Sequence, residues 1–130
     1  MRPLKFIFLT TIAVIAFNCS DEPANADVTN VLDPSKYYEE LNINYGTDVN
    51  QKFDLYLPKN RSLSTKILIL VHGGGWSAGD KNEMNPVKDL IRSDFPNVAI
   101  VNINYKLADE NNKPYPMQIE DITSVVNYLK

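Results

Sequence analysis

The 130-residue chain has one cysteine and one histidine. A single cysteine rules out an internal disulfide. A single histidine, His72, leaves one imidazole for any proton transfer. Glycine is scarce as well: Gly46, Gly73, Gly74, Gly75 and Gly79 are all there are. Basic residues are in deficit, with a formal net charge of −3 and no clustered patch to meet a phosphate backbone, so nucleic acid is not an expected partner. No run is long enough to cross a bilayer, which takes about 20 apolar residues. Internal repeats and low-complexity tracts are absent, and no motif calls for a cofactor or a metal. What is present is enough for one small domain, with 44% hydrophobic residues to build a core.

The longest apolar run stands at the amino terminus. Arg2 and Lys5 precede Phe6 to Phe17, 12 residues that fit the core of an export signal over residues 1–18. Cys19 follows directly, and Cys19-Ser20-Asp21-Glu22 resembles the start of a mature bacterial lipoprotein, whose first residue is a lipidated cysteine. That resemblance implies a membrane anchor at Cys19. A rival cut lies after Ala24-Asn25-Ala26, a small-x-small site that would release the protein. Without residues 1–18, which hold Arg2, Lys5 and no acid, 11 basic and 16 acidic residues leave a charge of −5. Residues 19–36 are acidic and polar with Pro23 and Pro34, and read as a flexible tether.

From residue 37 the pattern is that of a folded domain. Leu41, Ile43 and Tyr45 alternate with asparagines in a half-buried strand, and Gly46-Thr47-Asp48 turns the chain. Phe53, Leu55 and Leu57 form a second strand, giving an antiparallel hairpin at a sheet edge. Ile67 to Val71 is apolar without alternation, so both faces of this third strand are expected to be buried, as in a parallel sheet covered by helices. A turn capped by Asp80 and a helix over residues 86–93, with Asn85 or Asp80 as its cap, present Val87, Leu90 and Ile91. Val98 to Asn104 is a fourth, buried strand. A helix over residues 116–130 places Ile119, Ile122, Val126 and Leu129 on one stripe with Val125 beside it. The order β-β-β-α-β-α predicts an α/β fold: an edge hairpin, then parallel β-α-β-α.

The chemistry gathers where the third strand ends, at His72-Gly73-Gly74-Gly75-Trp76. Glycines there let the backbone approach a ligand, and ligands of open α/β sheets bind outside the carboxyl ends of the strands. Amides turned outward would suit a developing oxyanion. With Gly79-Asp80-Lys81, Asn104-Tyr105-Lys106-Leu107 and Tyr115-Pro116 further on, residues 38–130 resemble the first part of an α/β-hydrolase of the esterase and lipase branch carrying an HGGGW motif. The resemblance implies an amino-terminal portion that stops before the nucleophile elbow. It also implies a small-molecule ester as substrate, with Gly74 and Gly75 as oxyanion donors, Gly73 supporting the turn, and His72, Trp76 and Asp80 holding the loop. Trp76 either walls the acyl or alcohol pocket or is a core or rim aromatic. Lys106 stands where related sequences carry arginine; if that arginine pairs with the loop aspartate, lysine braces Asp80 less well. Glu120 and Asp121 read as first-turn helix acids near the positive dipole end.

A serine esterase also needs a nucleophile, a base and an orienting acid. Gly75-Trp76-Ser77-Ala78-Gly79 matches G-x-S-x-G in form, but it overlaps the HGGGW loop, whereas the family's elbow follows a later strand. His72 lies inside the same loop, while the family's catalytic histidine comes last in the chain. No residue of this chain is therefore assigned a catalytic role. Two functions remain open: a membrane-tethered carboxylic-ester hydrolase, or a non-catalytic lipoprotein derived from one. With the rest of such a sheet missing, the last strand and both helices are expected to leave apolar faces without partners.

Overall fold

A computed structural model describes residues 33–130. The export signal at 1–18, Cys19 and the tether up to residue 32 lie outside the described residues. Asp33 to Lys36, the end of the stretch read as a tether, form a hydrogen-bonded turn. Arg61 holds it, donating from its amide to Pro34 O and from its guanidinium to Lys36 O.

Four strands make one mixed sheet: β1 (Tyr38–Asn44), β2 (Lys52–Leu57), β3 (Ile67–Val71) and β4 (Ala99–Ile103). Their spatial order is β1-β2-β4-β3, antiparallel between β1 and β2 and between β2 and β4, parallel between β4 and β3. Between β3 and β4 the chain forms a 3-10 turn (Lys81–Met84) and helix α1 (Asn85–Asp94), and after β4 comes helix α2 (Met117–Tyr128). The expected α/β order is therefore present, with the hairpin at one edge. Asp80 caps the 3-10 turn through the Asn82 amide, and Pro86 occupies the first turn of α1, where its missing N–H breaks no helical bond.

The helices cover opposite faces. On one, α2 presses Val125, with Ile122 and Leu129, onto Ile43, Phe53, Val101, Ile103 and Tyr105. On the other, Met84 and Ile91 cover Tyr56, Leu70 and Ile100. The strand buried throughout is β4, all five of whose residues are inaccessible. It sits between β2 and β3 and takes cover from both sides, so the last strand does not lack partners as expected.

Three further expectations are corrected. β3 is not buried on both faces: Ile67, Leu68 and Val71 are exposed, because among the described residues only β4 pairs with it. Leu41 points out, because the β1–β2 register shifts between Glu40 and Ile43, and Asn42 turns through φ 59° with its amide donated to Asp54. The stripe of α2 is also displaced: its buried residues are Gln118, Asp121 and Val125. Apolar spacing misplaced that face because two of its positions are polar and bonded inward. Val87, Leu90 and Ile119 are exposed, the unpartnered apolar helix faces that were expected.

Candidate active site

The loop after β3 brings His72, Gly73, Gly74, Gly75, Trp76 and Asp80 together at the carboxyl end of the parallel strands. Gly74 takes φ +110°, and a Cβ there would overlap the Ala78 carbonyl. Gly74 O accepts the amides of Ser77 (3.2 Å) and Ala78 (3.1 Å), which reverses the chain. Gly79 takes φ +100°, and its Cβ would lie 2.5 Å from both Gly73 O and His72 Nδ1. Only glycine lets the returning chain lie this close to the outgoing one. Around Gly75 the space is open. Among the described residues nothing accepts a hydrogen bond from the amides of Gly73, Gly74 or Gly75. Three free amides thus stand in a loop whose shape is already set.

His72 is 4% exposed. Its ring stacks on Tyr105 at 4.3 Å and 9°, and its Nδ1 lies 2.7 Å from Gly73 O, so Nδ1 carries the proton. The Tyr105 hydroxyl donates to His72 O at 3.0 Å. Burial holds that hydroxyl above its ordinary pKa and keeps it a donor. No hydrogen bond joins His72 to Ser77. Trp76 is 49% exposed at φ 69°, and its carbonyl accepts from Ala108 at 2.8 Å, which ties this loop to the one after β4.

The far side of the loop is clamped by a polar network that apolar patterning did not reveal. Asn104 donates from Nδ2 to Asp80 Oδ2 (2.8 Å) and accepts the Lys81 amide on Oδ1 (2.6 Å). Asn102 on β4, two residues earlier in the chain, donates to Lys81 O at 2.8 Å. Lys81 is itself buried, with Nζ 2.7 Å from both carboxylate oxygens of Asp54 on β2. Hydrogen bonds from the Asn82 amide, then from Asn104, hold the Asp80 carboxyl below its ordinary range. The available signal was polar residues inside apolar strands: Asp54 after Phe53, and the asparagines of VAIVNIN.

Lys106 does not brace Asp80. Its Nζ lies 3.4 Å from Asp121, which also accepts the Lys106 amide and Gln51 Nε2, each at 2.8 Å. Asp121 is 1% exposed, so it is a buried acceptor rather than a surface acid at a helix start. Gln118 completes the grip by donating to Lys106 O at 2.9 Å. A cleft of about 380 Å³ opens beside the glycine loop, between Asp48–Asn50, Ser77, Lys106–Asp109, Asn112 and Met117. Among the described residues no group of three His, Cys, Asp or Glu side chains could hold a metal ion.

The BD-FAE family model matches residues 53–130. A kynurenine formamidase of Salmo salar is 31% identical over 72 residues, 55% of this chain and 24% of that protein. An arylacetamide deacetylase of Oryctolagus cuniculus is 30% identical over 94 residues, 70% of this chain and 23% of that protein. The solved structure of a bifunctional GH43-CE protein of Bacteroides eggerthii superposes with a TM-score of 0.55 at 27% identity, covering 70% of this chain and 13% of that one. The chain thus spans about a quarter of the curated relatives it matches. With the glycine loop at the carboxyl end of a β-α-β unit and more than half its length matched, the chain belongs to the BD-FAE family, and its sheet is part of an α/β-hydrolase esterase fold.

Proposed function

We propose that this chain supplies the oxyanion-binding loop of a serine carboxylic-ester hydrolase. The observation that carries the reading is the set of free amides at Gly73, Gly74 and Gly75, in a loop whose far side is fastened by buried bonds. A serine hydroxyl attacks the ester carbonyl, the carbonyl oxygen takes the negative charge, and Gly74 and Gly75 donate to it. The alcohol leaves, and water then releases the acyl group by the same route. One such donor is worth on the order of 100- to 1,000-fold in rate. His72 braces the loop and Asp80 holds its return, while the cleft beside Trp76 receives the substrate. Relatives named as a deacetylase and a formamidase support acyl transfer to water. The protein is exported and held at a membrane by lipid on Cys19; cleavage after Ala26 is the rival processing.

The nucleophile, acid and base are assigned to sequence beyond Lys130. Extending the reading frame is the test: a strand with G-x-S-x-G, then an acid and a histidine, is expected. The longer product should hydrolyse short-chain nitrophenyl esters and be labelled at that serine by a phosphonate. The 130-residue chain should release no chromophore above a boiled control. Turnover by this chain that vanishes in Ser77→Ala would overturn the assignment.

A further inference from the structure

At the opposite end of the sheet from the glycine loop, two contiguous depressions of about 390 and 320 Å³ share Lys59, Asn60, Asn97 and Val98. The charged residues lining them are Lys59, Arg61, Lys66 and Arg92, and no carboxylate lines either. The chain holds 16 acids against 13 bases, so a four-cation groove without an acid runs against its overall charge. Outside the lining, Glu39 lies 3.8 Å from Arg92, and Asp33 pairs with Lys36. Among the described residues the ammonium groups of Lys59 and Lys66 form no ion pair. Apolar tips stand at the same end: Phe95 is 61% exposed, and Leu63, in the loop between Arg61 and Lys66, is fully exposed. Tyr37 lines the groove beneath the Arg92 guanidinium, 4.7 Å from its ring.

From these observations we infer that this end of the domain docks on an anionic phospholipid surface, with Lys59, Arg61, Lys66 and Arg92 facing headgroups and Leu63 and Phe95 entering the interface. Cations flanking exposed apolar tips are what a surface needs to rest on anionic lipid. The path of the chain agrees, because Asp33–Lys36 enters the domain against Arg61 and leads back towards Cys19. A lipid at Cys19 therefore pulls on the end that carries the cations, and to that extent the inference rests on the proposed anchor. A five-residue strand, about 16 Å long, separates this end from the glycine loop. Docked this way, the protein turns Gly73–Trp76 away from the membrane, towards substrates in the medium.

The single tryptophan, Trp76, gives the test its reporter at the far end. The exported full chain is reconstituted with vesicles of phosphatidylcholine, alone or mixed with phosphatidylglycerol, carrying a nitroxide headgroup quencher. Native Trp76 emission should stay unquenched. In a Leu63→Trp, Trp76→Phe variant the indole should be quenched in the anionic vesicles and far less in the neutral ones. Raised salt should relieve the quenching, because the attraction is screened within about 10 Å at 0.1 M. Lys59→Gln with Lys66→Gln should weaken docking roughly 30-fold, about fivefold for each cation. Equal quenching in both vesicles, indifference to salt in the unaltered-lysine protein, or quenching of Trp76 would each overturn the inference. Binding of a soluble anionic polysaccharide without headgroup quenching would overturn it too. The mass of the purified protein reports separately whether Cys19 carries lipid, so failure of the anchor is distinguishable from failure of docking.

Discussion

Gly74 and Gly75 sit side by side with positive φ, yet a methyl group meets different surroundings at each. At Gly74 it would overlap the Ala78 carbonyl; at Gly75 it would enter open space. Gly74→Ala is therefore expected to destabilise the chain by about 1–3 kcal/mol, the scale of a strained backbone position, and Gly75→Ala by about 1 kcal/mol. Urea midpoints at fixed m-value would rank them. In the active enzyme Gly74→Ala should lower kcat with little change in KM, since an oxyanion donor acts on the transition state. His72→Asn loses the stack on Tyr105 and should affect kcat less. Asp80 offers a test by pH. Its folded pKa lies below the ordinary 3.8, so its contribution is complete above that value and is lost as pH falls below it. Asp33 and Asp109 are lowered too, so Asp80→Asn should flatten the acid limb of stability below about pH 4 without abolishing it, as read by urea unfolding across pH.

Among the elements, β2 and β4 do more than pair: they carry the polar residues that hold the glycine loop's return. The Asp54–Lys81 pair is buried on both sides, so deleting one partner strands a charge. Lys81→Met is expected to destabilise by about 3–5 kcal/mol, and Asp54→Leu with Lys81→Met to recover most of that loss. A double-mutant cycle by chemical denaturation would measure it; additive losses would show that the pair is not coupled. The bulge in β1 makes a second test. Leu41→Ser should change stability by no more than about 0.5 kcal/mol because the side chain faces solvent. Ile43→Ala should lose about 2–4 kcal/mol from the core under α2.

At the scale of the molecule, the sheet has two ends with different chemistry. Free glycine amides and a polar cleft lie at the carboxyl ends of β3 and β4; cations and apolar tips lie at the other end, where the chain arrives from Cys19. The proposed docking would hold the domain by one end and leave the glycine loop open at the other. Cys19 lipidation can be tested directly. Expression in a bacterial host with labelled fatty acid should mark the protein, and Cys19→Ala should abolish the label. Equal labelling of the variant, or a mature terminus at Asp27, would refute the anchor.

Local pattern determined a good deal. The unalternating run of β3, the three glycines after it, the proline at the start of α1 and the order of elements were all legible, because each is set within a few consecutive residues. Tertiary structure decided the rest. Asp54 and Lys81 are 27 positions apart, and Asp121 lies 70 positions from Gln51, so local pattern marks at most a polar residue within an apolar strand and never its partner. The sites of Leu41 and Lys106 depended on a register shift and on α2. The exposure of β3 and the burial of β4 follow from which strand has neighbours on both sides. Apolar residues declare that a strand can be buried; only the pairing of the sheet assigns the buried place.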